Sequence, residues 1–125
     1  VFQHIREMTE DGMEREAIYL LFRKMEKDRI YYQKAFEATG QNGFEEILEK
    51  KIRQLIEEMV GRHKIKLEKL QGIKDKKIFL EFHTIIVVTG LKYWLTSRDI
   101  HLSADEAMEY YLFLMSHPIL ELLEK

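Results

Sequence analysis

Cysteine is absent from the 125-residue chain, and proline occurs only once. The lack of cysteine excludes disulfides, thiolate nucleophiles and cysteine metal ligands, and it fits a reducing cytoplasm. Runs that alternate apolar and polar residues are also missing, which argues against strands. With 46% hydrophobic and 34% charged residues, we therefore expect one all-α domain, folded as an antiparallel helical bundle.

The chain also lacks a strong net charge and a targeting segment. Its formal charge of −2 gives no overall basic field for nucleic acid. The first residues, VFQHIREMTEDG, contain no basic flank followed by an apolar run, so we predict no signal peptide. The most apolar stretch, FLEFHTIIVVTGLKYWL at 79–95, is too short and too polar for a bilayer span, which needs about 20 predominantly apolar residues. We therefore expect a cytoplasmic protein without a membrane partner.

Apolar periodicity predicts a succession of helices. The first ends near Met8, and the others cover 13–27, 29–38, 44–61 and 78–95, with a last helix after Ser103 that Pro118 kinks or restarts. Capping boxes, each an N-cap residue with a glutamate three positions later, are predicted at Asp11 with Glu14, Asn42 with Glu45 and Ser103 with Glu106. Two further N-caps are predicted at Asp28 and Asp75.

The predicted helix at 78–95 is apolar on two nearly opposite sides, with Glu81 and Lys92 sharing a narrow charged seam. The last helix is also apolar over more than half of its circumference. A chain this short has few helices to cover both, so we predict a homodimer formed through these two helices. The alternative is that both sides pack within one chain. The predicted interface residues are Leu80, Val87, Gly90, Leu91, Trp94, Tyr111, Leu114 and Met115.

A set of aromatic and methionine side chains suits the lining of an apolar ligand pocket, although helical spacing predicts ordinary core equally well. His83 borders an apolar helix and could orient a ligand, whereas such a histidine is more often a satisfied boundary residue. The predicted pocket residues are Phe22, Met25, Tyr31, Tyr32, Phe36, Met59, Phe82, His83 and Ile86.

No catalytic or metal-binding pattern stands out. No histidine has a second histidine three or four positions away, and HExxH is absent. The serines lack a nucleophile-elbow context, and no glycine-rich phosphate loop is present. We therefore predict no enzyme activity, no cofactor and no metal, leaving open a metal site assembled from distant histidines. The basic stretch at 62–77 is interpreted as a solvated helix end and loop.

Three segments carry a resemblance to a known family. They are LLFRKMEKDRIYYQKAFEATGQNGFEEILEKKI, FHTIIVVTGLKYWL and LSADEAMEYYLFLM. The chain resembles the C-terminal ligand-binding and dimerisation domain of TetR-type bacterial transcriptional regulators, in the variant typified by regulators of dihydroxyacetone kinase operons. The positions that match this variant are Tyr32, Gly40, Phe44, Gly90, Trp94, Ser103 and Glu106. The bulky run IIVV stands where the family often has small residues ahead of the glycine.

The resemblance implies a single regulatory domain over residues 1–125, dimerising through its last two long helices. It also implies that residues 1–9 end a linker helix from an absent N-terminal helix-turn-helix domain, through which alone DNA would be bound. A small-molecule effector or partner protein would shift the population of helix arrangements and so control that domain. From the residues, the alternative is a helical adaptor module with an apolar groove for a partner helix.

Overall fold

The computed structural model describes residues 2–38, 43–62, 76–117 and 119–123. Over these ranges the chain forms helices and no strand, which confirms the all-α prediction. The helices are α1 (Phe2–Glu10), α2 (Glu14–Lys27), α3 (Arg29–Glu37), α4 (Phe44–Arg62), α5 (Lys76–Thr96), α6 (Ala104–Ser116) and α7 (Ile119–Leu123). The predictions for Gly40, Asn42, Asp75, Pro118 and most of the basic stretch fall outside the described residues.

The turn between α1 and α2 is built differently from the predicted capping box at Asp11. Gly12 has a φ of +78°, and Met13 N donates to Met8 O at 2.9 Å while Gly12 N donates to Thr9 O at 3.1 Å. These two bonds form a Schellman motif, in which a glycine in the left-handed region closes a helix C-terminus. The N-cap of α2 is Met13, without a side-chain cap. The prediction of an Asp11 cap was therefore wrong, because the turn residues end α1 rather than start α2.

The other caps show one correct prediction and one half-correct one. Ser103 caps α6 with a complete capping box: Glu106 N donates to Ser103 Oγ at 3.1 Å, and Ser103 N donates to Glu106 Oε1 at 3.0 Å. Asp28 does occupy the N-cap position of α3, but its side chain forms no cap hydrogen bond.

The core lies where α5 packs on α4 and α3, and where α2 packs on α6 and α1. Its most completely buried side chains are Met25, Thr84, Leu91, Leu95 and Met108. Each large apolar side chain buried in this way contributes about 1.5–3 kcal/mol. Thr84 is tolerated there because its hydroxyl donates to Leu80 O at 2.7 Å, so this buried hydroxyl is paired.

By length and composition alone, α5 is long and apolar enough to cross a membrane. The prediction that this segment is too short and too polar for a span was therefore wrong, because the helix runs beyond the apolar stretch at both ends. A core helix passes the same test, and α5 packs along one side against α3 and α4.

Candidate functional site

Helix α5 presents one apolar face to the core and another to solvent. The buried face contains Leu80, Val88, Leu91, Trp94 and Leu95. The opposite face is exposed, although five of its side chains are large and apolar: Ile78, Phe82, Ile85, Ile86 and Tyr93. An exposed apolar face of this kind is a candidate interaction surface.

Two ion pairs to α4 form one edge of this exposed face. Arg53 Nη2 donates to Glu81 Oε2 at 3.1 Å, and Lys92 Nζ lies 3.3 Å from Glu45 Oε1. Both pairs are partly exposed, so they contribute little stability. They confirm the charged seam predicted from the sequence and separate the exposed face from α4.

On its other side, the exposed face continues into a groove between α5 and α6, which we call the outer groove. Its volume is about 600 Å³. Apolar side chains dominate its lining, with Asp99 and His101 at the loop that joins the two helices. The lining residues used below are Ile86, Gly90, Tyr93, Tyr110, Leu114 and Met115.

The loop at the end of the outer groove is held against α3. Trp94 Nε1 donates to Leu102 O at 2.9 Å, and Arg29 Nη2 reaches the same carbonyl at 3.4 Å. The Arg29 guanidinium also lies 5.2 Å from the centroid of the Trp94 ring, a cation–π arrangement. Gln33 Nε2 donates to Leu95 O at 2.7 Å, at the end of α5. This end of the outer groove is therefore preformed.

The first turn of α6 is fixed to α2. Glu26 Oε2 accepts from Ala104 N at 2.7 Å, and Arg23 Nε donates to Asp105 Oδ1 at 2.9 Å. A carboxylate at a helix N-terminus is favourable because it meets unpaired N–H groups and the positive end of the dipole. By contrast, the last two turns of α6 expose apolar side chains, among them Tyr110, Phe113 and Leu114.

A second, smaller cavity of about 200 Å³ lies beneath α1, and we call it the inner cavity. Residues from α1, α2, α4, α5 and α6 line it, including Ile5, Thr9, Met59 and Val60. Thr9 is satisfied, since its hydroxyl donates to Arg6 O at 2.7 Å. The inner cavity therefore lies between α1 and the rest of the bundle.

His83 and Tyr111 are the titratable residues in the lining of the inner cavity. Burial lowers the pKa of the His83 imidazole and raises the pKa of the Tyr111 phenol. Both side chains are therefore uncharged at neutral pH. His83 also stacks on Phe79, with ring centroids 5.9 Å apart.

The structure brings together part of the predicted pocket. Phe22, Met59 and His83 line the inner cavity, and Phe22 and Ile86 line the outer groove. Met25 and Phe36 are buried in the core, and Tyr32 is half-buried against Phe44. Tyr31 and Phe82 are exposed and line neither cavity.

Of the eight predicted interface residues, all except Leu80 line the outer groove. Leu80, Leu91 and Trp94 are buried within the chain itself, because the face of α5 that carries them packs on α3 and α4. That face is thus the core face. Gly90, Leu114 and Met115 are exposed, whereas Val87 and Tyr111 are half-buried.

Sequence reasoning missed the contribution of α1 and the exposed position of Ile85. Ile5 and Thr9 lie one helical turn apart, which was the available signal for α1. Among the residues with described positions, no group of three histidine, aspartate or glutamate side chains is arranged to hold a metal.

An all-α bundle with an apolar cavity between its helices and an exposed apolar face on its long helices is typical of a regulatory or interaction domain. A family model of TetR-type proteins, described as a transcriptional regulator C-terminal region, matches residues 14–118. The chain therefore belongs to this family of TetR-type regulator C-terminal regions. No curated protein and no solved structure matches the chain.

Proposed function

We propose that this domain binds a small-molecule effector and forms a homodimer, and thereby controls a DNA-binding helix-turn-helix domain in the same regulator. The observation that carries the proposal is the exposed apolar face of α5, which continues into the outer groove beside a second apolar cavity. Membership of a regulator family supports this function. The domain would act by binding and without catalysis.

The proposed dimer interface is the exposed face of α5 together with the last turns of α6. It replaces the buried residues Leu80, Leu91 and Trp94 by Ile78, Phe82 and Ile85, while keeping Gly90, Leu114 and Met115. A two-fold axis would place the same surface of both protomers in contact. Five large apolar side chains, each worth up to about 1.5–3 kcal/mol when fully buried, would favour association.

The effector would reach α1 through the inner cavity. Ile5 and Thr9 of α1 line this cavity, and Arg6 Nε forms an ion pair with Glu58 Oε2 of α4 at 3.3 Å. A ligand that favours one position of α1 would shift the population of helix arrangements. Because the resemblance identifies residues 1–9 as the end of a linker helix, that shift would move the two DNA-binding domains.

A cytoplasmic location is proposed because a chain without cysteine fits a reducing compartment. Further parts of the proposal rest on the resemblance alone. They are the likeness to dihydroxyacetone kinase operon regulators, a bacterial source and DNA contact only through the N-terminal domain. Reading the parent gene upstream of Val1 tests them, since a helix-turn-helix domain with a basic recognition helix is expected there. An upstream sequence without such a domain would contradict DNA control by this chain.

A helical adaptor is the second candidate, because the outer groove is open and apolar enough to receive a partner helix. Sedimentation velocity separates the two functions. We expect the isolated chain to be a dimer at micromolar concentration, whereas a monomer with an open groove would favour the adaptor.

The charge substitution Phe82→Glu tests the interface directly, since it places a carboxylate in the centre of the exposed face. Ile30→Glu on α3 is a matched control, because Ile30 is 68% exposed and Phe82 is 65% exposed. We expect Phe82→Glu to yield monomers and Ile30→Glu to leave the dimer intact. Dissociation by both variants, or by neither, would contradict the proposed interface.

A further inference from the structure

The outer groove and the inner cavity share a wall. Phe22, Val87 and Tyr111 line both of them. Phe22 is in ring contact with Tyr111, with centroids 6.2 Å apart. Residues of α2, α5 and α6 therefore contribute to the wall between the two spaces.

The inner cavity contains polar atoms that are not satisfied by the protein. No hydrogen bond to the ring nitrogens of His83 or the hydroxyl of Tyr111 is formed by residues within 2–38, 43–62, 76–117 and 119–123. Neither group is among the fully buried unpaired polar atoms of the described residues, so both are accessible to water or to a ligand. A ligand oxygen could accept from the Tyr111 hydroxyl, and a ligand hydroxyl could donate to an imidazole nitrogen.

The volumes of the two spaces favour a single ligand that occupies both. Ligand pockets usually measure about 300–1,000 Å³, so the outer groove at about 600 Å³ lies within this range and the inner cavity at about 200 Å³ falls below it. If each heavy-atom group takes about 30 Å³, the volume of a water molecule in the liquid, the inner cavity of about 200 Å³ holds about six or seven groups. A ligand larger than this extends beyond the inner cavity, and the outer groove is the apolar space that adjoins it across the shared wall.

The charges of the lining restrict the ligand class. The inner cavity is lined by no carboxylate, lysine or arginine among the described residues, and Asp99 is the charged residue of the outer groove. An ionised group carried into the inner cavity would therefore lose its hydration without gaining an opposite charge. The buried end of the ligand should be uncharged.

We propose that the two cavities form one site for a slender, uncharged amphipathic molecule, with an alcohol or carbonyl oxygen at His83 and Tyr111 and an apolar chain that displaces the shared wall and extends into the outer groove. This inference rests on the proposed effector-binding function and specifies its ligand. Tyr111 is then both a hydrogen-bonding group and the movable part of the wall.

Unbranched alcohols from butan-1-ol to decan-1-ol are suitable probes, measured by isothermal titration calorimetry. The expected result is one alcohol per protomer, with affinity rising about three- to fourfold for each CH₂ and continuing to rise beyond hexan-1-ol. A plateau at hexan-1-ol, or two alcohols bound per protomer, would overturn the joined site. Decanoate and decyltrimethylammonium should bind at least tenfold more weakly than decan-1-ol, and equal binding would overturn the uncharged class.

Substitutions locate the two ends of the ligand. Tyr111→Phe keeps the ring and removes the hydroxyl, so it should weaken every alcohol by about 2- to 10-fold. Tyr110→Phe is the matched control, because Tyr110 lines only the outer groove, and it should change affinity less than twofold. Val60→Phe would fill the inner cavity and should abolish alcohol binding. An unchanged affinity in Tyr111→Phe would overturn the assignment even if the Val60 variant does not fold.

The outcome is distinguishable from failure of the proposed dimer. Because Gly90, Leu114 and Met115 line the outer groove and also belong to the proposed dimer interface, alcohol binding is measured on both the dimer and the Phe82→Glu monomer. If decan-1-ol binds neither of them while Phe82→Glu dissociates the dimer, the ligand class is wrong and the dimerisation domain stands. If decan-1-ol binds a chain that remains monomeric, the joined site stands and the dimer is wrong.

Discussion

The two faces of α5 have similar compositions and very different surroundings. Leu91 on one face is 2% exposed, and Ile85 on the other is 46% exposed. Both faces carry large aliphatic and aromatic side chains, so hydrophobicity alone does not distinguish core from surface. What distinguishes them is contact, since only the Leu91 face packs on α3 and α4. The exposed face therefore indicates a binding surface, whereas the buried face stabilises the protomer.

Paired alanine substitutions give the largest expected difference between the faces. Leu91→Ala should lower the free energy of unfolding by about 2–5 kcal/mol at any protein concentration, because it leaves a cavity in the core. Ile85→Ala should lower it mainly at concentrations where the chain is dimeric, since binding stabilises only the associated state. Urea unfolding at two protein concentrations measures both effects. If both variants lost equal free energy of unfolding in the dilute, monomeric chain, the two faces of α5 would not differ in their contribution to the core.

Replacing Gly90 tests whether a second copy of the chain packs closely against the exposed side of α5. Gly90→Ala should raise the free energy of unfolding of the monomer by about 1 kcal/mol, since alanine is the better helix former. A Cβ at this position would meet no atom within 4 Å. Gly61→Ala in α4 is the control, because a Cβ there also meets nothing within 4 Å. Its gain should be smaller, since Gly61 lies in the last turn of α4.

Measuring the dimer dissociation constants of Gly90→Ala and Gly61→Ala shows whether Gly90 lies in the dimer interface. If a second copy approaches α5 closely at this glycine, Gly90→Ala weakens the dimer and Gly61→Ala does not. A monomer destabilised by Gly90→Ala would contradict the open space above Gly90.

Local signals predicted the elements of the fold well. Periodicity placed the start of α4 at Phe44 and the end of α2 at Lys27, and the spacing of Ser103 and Glu106 predicted the capping box of α6. These features depend on neighbouring residues, which a sequence displays directly. The Schellman turn at Gly12 was missed because the same polar residues can end one helix or start the next, and only φ decides between the two.

Nonlocal packing could not be predicted in the same way. The wheel of α5 showed two apolar faces but contained no information about which one meets α3 and α4. Thr84 illustrates the difficulty: it is polar, yet it lies in the buried face because its hydroxyl bonds to Leu80 O. The predicted pocket was assembled from residue types, so Phe22 and His83 fall near each other while the exposed Tyr31 lines neither cavity.

His83 lies at the border between the two faces of α5. Its surroundings are tested by the pH dependence of the free energy of unfolding. Burial lowers the pKa of folded His83 below the ordinary value of about 6.5, so the unfolded chain binds more protons within that interval. The free energy of unfolding should therefore fall as the pH drops from about 6.5 to the folded pKa. Below the folded pKa, this contribution should stay constant.

The variant His83→Phe should lack this pH-dependent component, since it keeps an aromatic ring beside Phe79 and removes the titration. Urea unfolding of both proteins between pH 8 and pH 5 isolates the difference. A wild-type protein whose stability rises on acidification relative to the variant would show that folding raises the His83 pKa, which would contradict the effect of burial.

The ion pair at the edge of the exposed face should give the smallest effect. Glu81→Gln should lower the free energy of unfolding by less than about 1 kcal/mol, because the pair with Arg53 is partly exposed. The loss should shrink further in 1 M salt, where the screening length is about 3 Å. Glu57→Gln on α4 is the control, since Glu57 is exposed and has no ion pair among the described residues. A loss of several kcal/mol from Glu81→Gln would mean that this edge is buried in solution, and the interface would then extend across the seam toward α4.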